Sequence, residues 1–218
     1  MNTKLAKICF IALFFCSQVS VAQNTANSRY IWVGDLTLNS LHDFSDALKN
    51  SKMVTAIEFR KSSGAAASAG IIVKEIESQI EMKKLKTFAR GQCASACANA
   101  FLLGEERTLL PSMDTTPTHL MLHAQRSNQT GEINYGATDQ LFKKIVAKSK
   151  GKITLAFLEK MYEAKNSGGG LYILREAKAT NDGISQIFFC TGEEKELRRP
   201  CEAIKGLKPQ DLGISIAE

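Results

Sequence analysis

Short apolar runs alternate along this chain with stretches whose apolar residues recur every three or four positions, the pattern of strands followed by amphipathic helices. Tyr30 to Val33 is a β-rich run ended by Gly34-Asp35. Leu41, Phe44 and Leu48 then share one face of a predicted helix capped by Asn39 or Ser40, with His42 on the polar side. Val54 to Phe59 predicts a second strand whose Val, Ala, Ile and Phe suit a sheet covered on both faces. Ile72, Val73, Ile76 and Ile80 lie on one side of the helix that follows.

Between that second strand and helix runs Ser62-Ser63-Gly64-Ala65-Ala66-Ala67-Ser68-Ala69-Gly70, made of small residues only. Such a loop leaves backbone N–H groups accessible at a helix start, which suits a carbonyl oxygen or an anion, and it equally suits close packing of loop on sheet. A second strand-to-helix turn follows. Lys84 to Ala89 ends in β-compatible Thr87 and Phe88, and Ala96, Ala98, Ala100, Phe101, Leu102 and Leu103 form an apolar run fit for a buried helix. Ser95 stands at that turn, where a serine serves either as a helix cap or as a nucleophile beside an oxyanion site.

Further along, Thr108 to Pro111 is a short extended piece and Thr118 to Ala124 a predicted strand that places His119, Met121 and His123 on one face. Four residues along a strand is about 13 Å, too far for His119 and His123 to bind one metal ion, so a zinc pair is rejected unless the segment is helical. Helices are predicted over Thr138 to Lys150 and Thr154 to Lys165, broken at Gly151. Leu171 to Leu174 is apolar, Ser185 to Cys190 predicts a strand, and Lys208 to Gly213 a closing turn.

The first 22 residues carry the pattern of an export signal: Lys4 and Lys7, the apolar core Ile8 to Phe15, and the small-x-small site Ser20-Val21-Ala22. The expected mature chain, residues 23–218, suits one domain in the periplasm or outside the cell. The net charge of +6 falls to about +4 without Lys4 and Lys7, and no basic run is interleaved with aromatics, which argues against a nucleic-acid partner. Cys93, Cys97, Cys190 and Cys201 remain once Cys9 and Cys16 leave with the signal. In an oxidising compartment this even count favours disulfides. Closing the polar loop Thr191 to Pro200 by Cys190–Cys201 leaves Cys93–Cys97 to clamp the turn around Ser95, the alternative being two reduced, buried cysteines.

Three segments, taken in order, resemble the proteolytic subunit of the Clp protease and its exported relatives, within the Clp/crotonase superfamily. Ser62 to Gly70 is similar to the family's S-P-G-G-x-x-x-x-G loop, Gly91-Gln92-Cys93-Ala94-Ser95 with Leu103-Gly104 and Arg107 to its G-x-x-A-S motif, and Leu120 to Gln125 to its I-M-I-H-Q segment. The resemblance implies an α/β fold of repeated β-β-α units, a mainly parallel sheet flanked by helices. It implies Ser95 as nucleophile, His123 as general base, and the N–H groups of Gly64, Ala65 and Ala96 as oxyanion donors. The substrate implied is a peptide or unfolded protein, with a homo-oligomer expected and no cofactor or metal. No ATPase partner is expected, since ATP is not expected outside the cytoplasm.

Two departures accompany the likeness. Ala65 stands where the family has a second glycine, and Asn166 to Gly170, where the third, acidic member is expected, hold no carboxylate, leaving Asp182 or the amide of Asn166 as third member. Alternatives are a Ser-Lys dyad using Lys143 or Lys144, a non-catalytic binding module, and, least favoured, an acyl-CoA enzyme.

Overall fold

A computed structural model describes residues 28–218 apart from 66, 128, 182, 198 and 199. The export signal and Asp182 therefore lie outside the described residues. The leading half alternates strands and helices: β1 (Arg29–Val33), α1 (Leu38–Asn50), β2 (Ala56–Ser62), α2 (Ala69–Lys83), β3 (Lys86–Ala94) and α3 (Ala96–Leu102). Next come β4 (Arg107–Leu109), β5 (His119–Leu122), α4 (Tyr135–Lys148), α5 (Leu155–Glu159) with a 3-10 turn over Lys160–Glu163, and the hairpin strands β6 (Gly170–Thr180) and β7 (Gly183–Cys190). The short elements α6 (Glu194–Leu197) and β8 (Glu202–Ala203), a 3-10 turn over Pro209–Leu212 and β9 (Ile214–Ile216) end the chain.

The strands form one mixed sheet in the order β1-β2-β3-β5-β6-β7-β8, with β4 beside β3 and β9 beside β4. β1, β2, β3 and β5 run parallel, and β6, β7 and β8 add antiparallel pairs. The fold class is thus α/β, a mainly parallel sheet with flanking helices, as the resemblance implied.

Parallel register sets the faces. Trp32, Phe59 and Ala89 are neighbours across β1, β2 and β3, and all three are buried beneath Phe44 and Leu48 of α1 and Ile72, Ile76 and Ile80 of α2. The opposite face differs from the apolar cover predicted for Val54 to Phe59. There Glu58 is 1% exposed, and what covers it is arginine: Arg29, Arg60 and Arg90 reach its carboxylate at 2.5, 2.6 and 2.9 Å. Three charge-assisted bonds let a carboxylate occupy a place a helix would otherwise fill.

Gly91 is the pivot that prepares the site. The β2–β3 register shifts from Arg60↔Arg90 to Ser62↔Cys93, a bulge that puts an extra residue in β3. Gly91 sits there at φ 72°, a conformation glycine adopts without steric penalty, and donates its N–H to Thr118 Oγ1 at 2.9 Å. Before the bulge β3 pairs with β4, and after it with β5. The last residues of β3 are thereby delivered beside the strand that leads to His123.

Helix α1 begins two or three residues earlier than the cap expected at Asn39 or Ser40. Thr37 is the cap and trades hydrogen bonds with Ser40 in a capping box, so Ser40 is the third helical residue and Asn39 is inside the helix.

Candidate active site

Ser95 occupies the single residue between β3 and α3, with φ 54° and ψ −123°. A non-glycine residue there stores roughly 1–3 kcal/mol of strain and needs its surroundings to hold it. Its own N–H donates to Met121 O at 2.8 Å, and its carbonyl accepts the N–H of Asn99 at 3.0 Å. The Cys93–Cys97 disulfide, with Cα atoms 5.3 Å apart, brackets the turn, and Cys190–Cys201 closes the second polar loop. The Ser95 hydroxyl makes no capping bond to α3. Helix capping is therefore not observed for this side chain, and Ser95 borders open space at a sharp strand-to-helix elbow.

Gly64, after β2, packs directly on this elbow. A β-carbon built on Gly64 would stand 2.7 Å from Ser95 Cβ and 2.9 Å from Ala94 O, and its φ of 112° suits glycine. Its N–H donates to Ser62 Oγ at 3.2 Å, so of the three expected oxyanion donors it is engaged elsewhere. Ala65 and Ala96 line the cavity beside Ser95, and Ala96 begins α3, where a helix leaves its N–H groups without intrahelical partners.

His123 follows β5 directly. Its Nδ1 is 2.8 Å from the carbonyl oxygen of Ala124. A carbonyl only accepts, so this bond fixes the proton on Nδ1 and leaves the Nε2 lone pair free to take a proton. Burial pushes the imidazole below its ordinary value of 6.5; the Ala124 acceptor opposes this and the nearby Arg126 charge adds to it. The chain beyond is anchored by the Gln125 N–H donating to Thr138 Oγ1 of α4 at 3.0 Å.

Of the two residues offered as third member, Asp182 lies outside the described residues. Asn166 does not reach His123: its amide donates to Gly192 O at 3.0 Å and accepts the Gly168 N–H at 2.8 Å, holding the glycine turn before β6. Among the described residues no carboxylate lies within hydrogen-bonding or ion-pairing distance of His123, and the Ala124 carbonyl stands where an acid would orient the ring.

Two cavities meet at this point. One, of about 310 Å³, lies toward α2, α3 and α4, and the other, of about 380 Å³, lies toward β5, Tyr172 and Ser167. Ser95 and His123 are the two residues that line both. No hydrogen bond joins the Ser95 hydroxyl to the imidazole among the described residues. In a site without substrate such bonds are commonly long and tighten in the complex.

The other sequence candidates fall away from the chemistry. Lys143 is exposed and lines neither cavity, and Lys144 lines the first but directs its Nζ to Glu77 Oε2 at 2.5 Å, which disfavours a Ser-Lys dyad. His119 lines the second cavity, stacked on Tyr172 with its Nδ1 2.9 Å from Pro117 O. His42 is a surface residue paired with Asp46. Arg107 has a structural task, donating to Leu102 O and Gly213 O at 3.2 Å each. Cys190, Glu194 and Cys201 bring ligand-type atoms together, but the two sulfurs are bonded to each other and offer no thiolate.

Pattern reading passed over Asn99, Arg126 and Glu77, which line the first cavity with Lys144. Asn99 did carry a signal, as the one polar residue in the buried run from Ala96 to Leu103. Arg126, beyond the end of a motif, carried none.

No protein-family model matches the chain, and no curated protein matches it. Among solved structures it is similar to the ClpP protease catalytic domain of Plasmodium falciparum, at 13% identity and a TM-score of 0.48 over 68% of this chain and 78% of that one. It is also similar to a ClpP1 mutant from Listeria monocytogenes, at 18% identity and a TM-score of 0.44 over 57% of this chain and 74% of that one.

Proposed function

We propose that the chain is an exported, ATP-independent serine hydrolase that cleaves peptides or unfolded segments. The observation that carries this reading is that Ser95 and His123 stand together at the junction of two cavities, with the His123 ring fixed as the tautomer a base needs. On this reading a substrate backbone crosses from one cavity to the other with its scissile carbonyl over Ser95. His123 Nε2 accepts the hydroxyl proton as Oγ attacks the carbonyl carbon, and the N–H groups of Ala96 and Ala65 stabilise the oxyanion. The protonated imidazole then passes its proton to the leaving amine, forming an acyl-enzyme. Water, deprotonated by the same imidazole, releases the acid product. Self-association belongs to the same proposal, and sedimentation of the purified chain tests it.

Hydrolysis of a reduced, unfolded protein without ATP tests the reading. Cleavage by the wild-type chain and none by Ser95→Ala is the expected result; equal cleavage by both would refute it.

One observation favours the second reading, a non-catalytic binding module: the Gly64 N–H is committed to Ser62 and no acid supports His123 among the described residues. Such a module would bind peptide without turning it over.

A further inference from the structure

The cavity on the α2 side of Ser95 is charged in one sense. Lys74, Arg126 and Lys144 face it against Glu77 alone. Lys144 and Glu77 satisfy each other at 2.5 Å, which leaves Lys74, exposed at the rim, and Arg126.

Arg126 is held but not neutralised. Its guanidinium donates to Gly131 O at 2.9 Å and Ala164 O at 2.5 Å, both neutral carbonyls that fix its plane. Its Nε is buried without a partner, and no carboxylate lies within ion-pairing distance of it among the described residues. A guanidinium charge held by neutral carbonyls and without a counter-ion is costly where it is partly buried, and a negative group in the adjoining cavity would offset that cost. Asn99, 7% exposed and one turn along α3 from Ser95, lines the same cavity with its Oδ1 also unpartnered. The first turn of the 15-residue helix α2 borders the cavity too, and it has neither an acidic residue nor a side-chain cap for its N–H groups. Each of these features except the Asn99 oxygen favours a negative group.

We infer that this cavity recognises a carboxylate of the substrate beside the scissile bond, with Arg126 as the specificity-determining residue and the α2 N-terminus as its support. A carboxylate supplies the opposite charge Arg126 lacks, whereas a lysine or arginine side chain would meet an uncompensated positive field. Two sources carry that group, an acidic side chain and a free chain terminus. The inference rests on the hydrolase reading for which bond is cut, but not for the binding itself.

The test uses the full chain carrying Ser95→Ala and calorimetric titration with three acetylated peptides of one length. One ends in glutamate amide, one in glutamine with a free terminus, one in glutamine amide. The carboxylate-bearing peptide of the correct source binds about ten-fold tighter than glutamine amide, the size of one charge-assisted hydrogen bond. Adding Arg126→Gln removes the difference, and Arg126→Lys retains part of it; a thermal melt establishes that each variant is folded, and Arg126→Lys serves where Arg126→Gln is not. Equal binding of all three peptides, or binding of none, overturns the inference. Fluorophosphonate labelling of the wild-type chain separates the two claims: labelling at Ser95 without carboxylate preference overturns this inference alone, while preference without labelling overturns the hydrolase reading alone.

Discussion

The Nδ1 of His123 is bound to the carbonyl oxygen of Ala124, the next residue in the chain, at 2.8 Å. The backbone thus orients the ring, the part of an acid's task that needs only an acceptor. It does not supply the negative charge that steadies an imidazolium, so turnover is expected to be slower than in a site with all three members.

A pH profile follows from the same contact. Burial holds His123 below 6.5, so the neutral base is present at pH 7, and kcat/KM stays level from pH 7.5 down past 6.5 before falling through the lowered value. The sign for stability is the same: the unfolded chain binds the proton more readily, so stability is lost as pH drops below 6.5. Stopped assays from pH 5 to 8 check the limb, and a limb above 7 would contradict it.

Gly64→Ala is expected to abolish activity. The added carbon would stand 2.7 Å from Ser95 Cβ at a positive φ, so the elbow must move. A loss of at least about 100-fold in rate, with destabilisation of about 1–3 kcal/mol, is the expected pair of results from kinetics and a thermal melt.

The two disulfides separate position from stability. Converting Cys93 and Cys97 to alanine opens a very short loop and costs about 2 kcal/mol, while the longer loop of Cys190 and Cys201 is worth about 3 kcal/mol. The rate of reaction at Ser95 should show the reverse order, since the first pair flanks it. Urea melts and labelling rates of the two double variants measure both.

Glu58→Gln is expected to destabilise the sheet by about 3–5 kcal/mol, leaving three arginines around a neutral amide. Burial pushes the Glu58 carboxyl up, but hydrogen bonds from Arg60, Arg90 and Arg29 prevail and hold it at about 2. Its contribution is therefore present above pH 4.5 and lost as pH falls through about 2, so the gap between wild type and variant narrows in acid melts.

What could be read from the residues was whatever apolar spacing encodes. Ile72, Ile76 and Ile80 announced α2, and the small residues beside Ser95 announced the elbow, because burial selects side chains position by position. The polar half of β6, Arg175 to Thr180, gave no strand signal: Lys178 to Thr180 pair with β7 through the backbone beyond a register shift, which no apolar alternation marks. β9 joins β4 from the far end of the chain, a pairing no local pattern reports. The Ala124 carbonyl could not be foreseen for a related reason: every residue has one, and only the fold decides which points at a ring nitrogen. Arg126 stayed hidden because its significance is a missing partner, which exists only once the chain is folded.

The proposed function stands or falls on Ser95 as a nucleophile activated by His123. Treatment of the purified chain with a fluorophosphonate, followed by peptide mapping, tests it most directly. A single adduct on Ser95 is expected, abolished by His123→Ala and left intact by Lys144→Ala. An unlabelled Ser95, under conditions that label a control serine hydrolase, would contradict it.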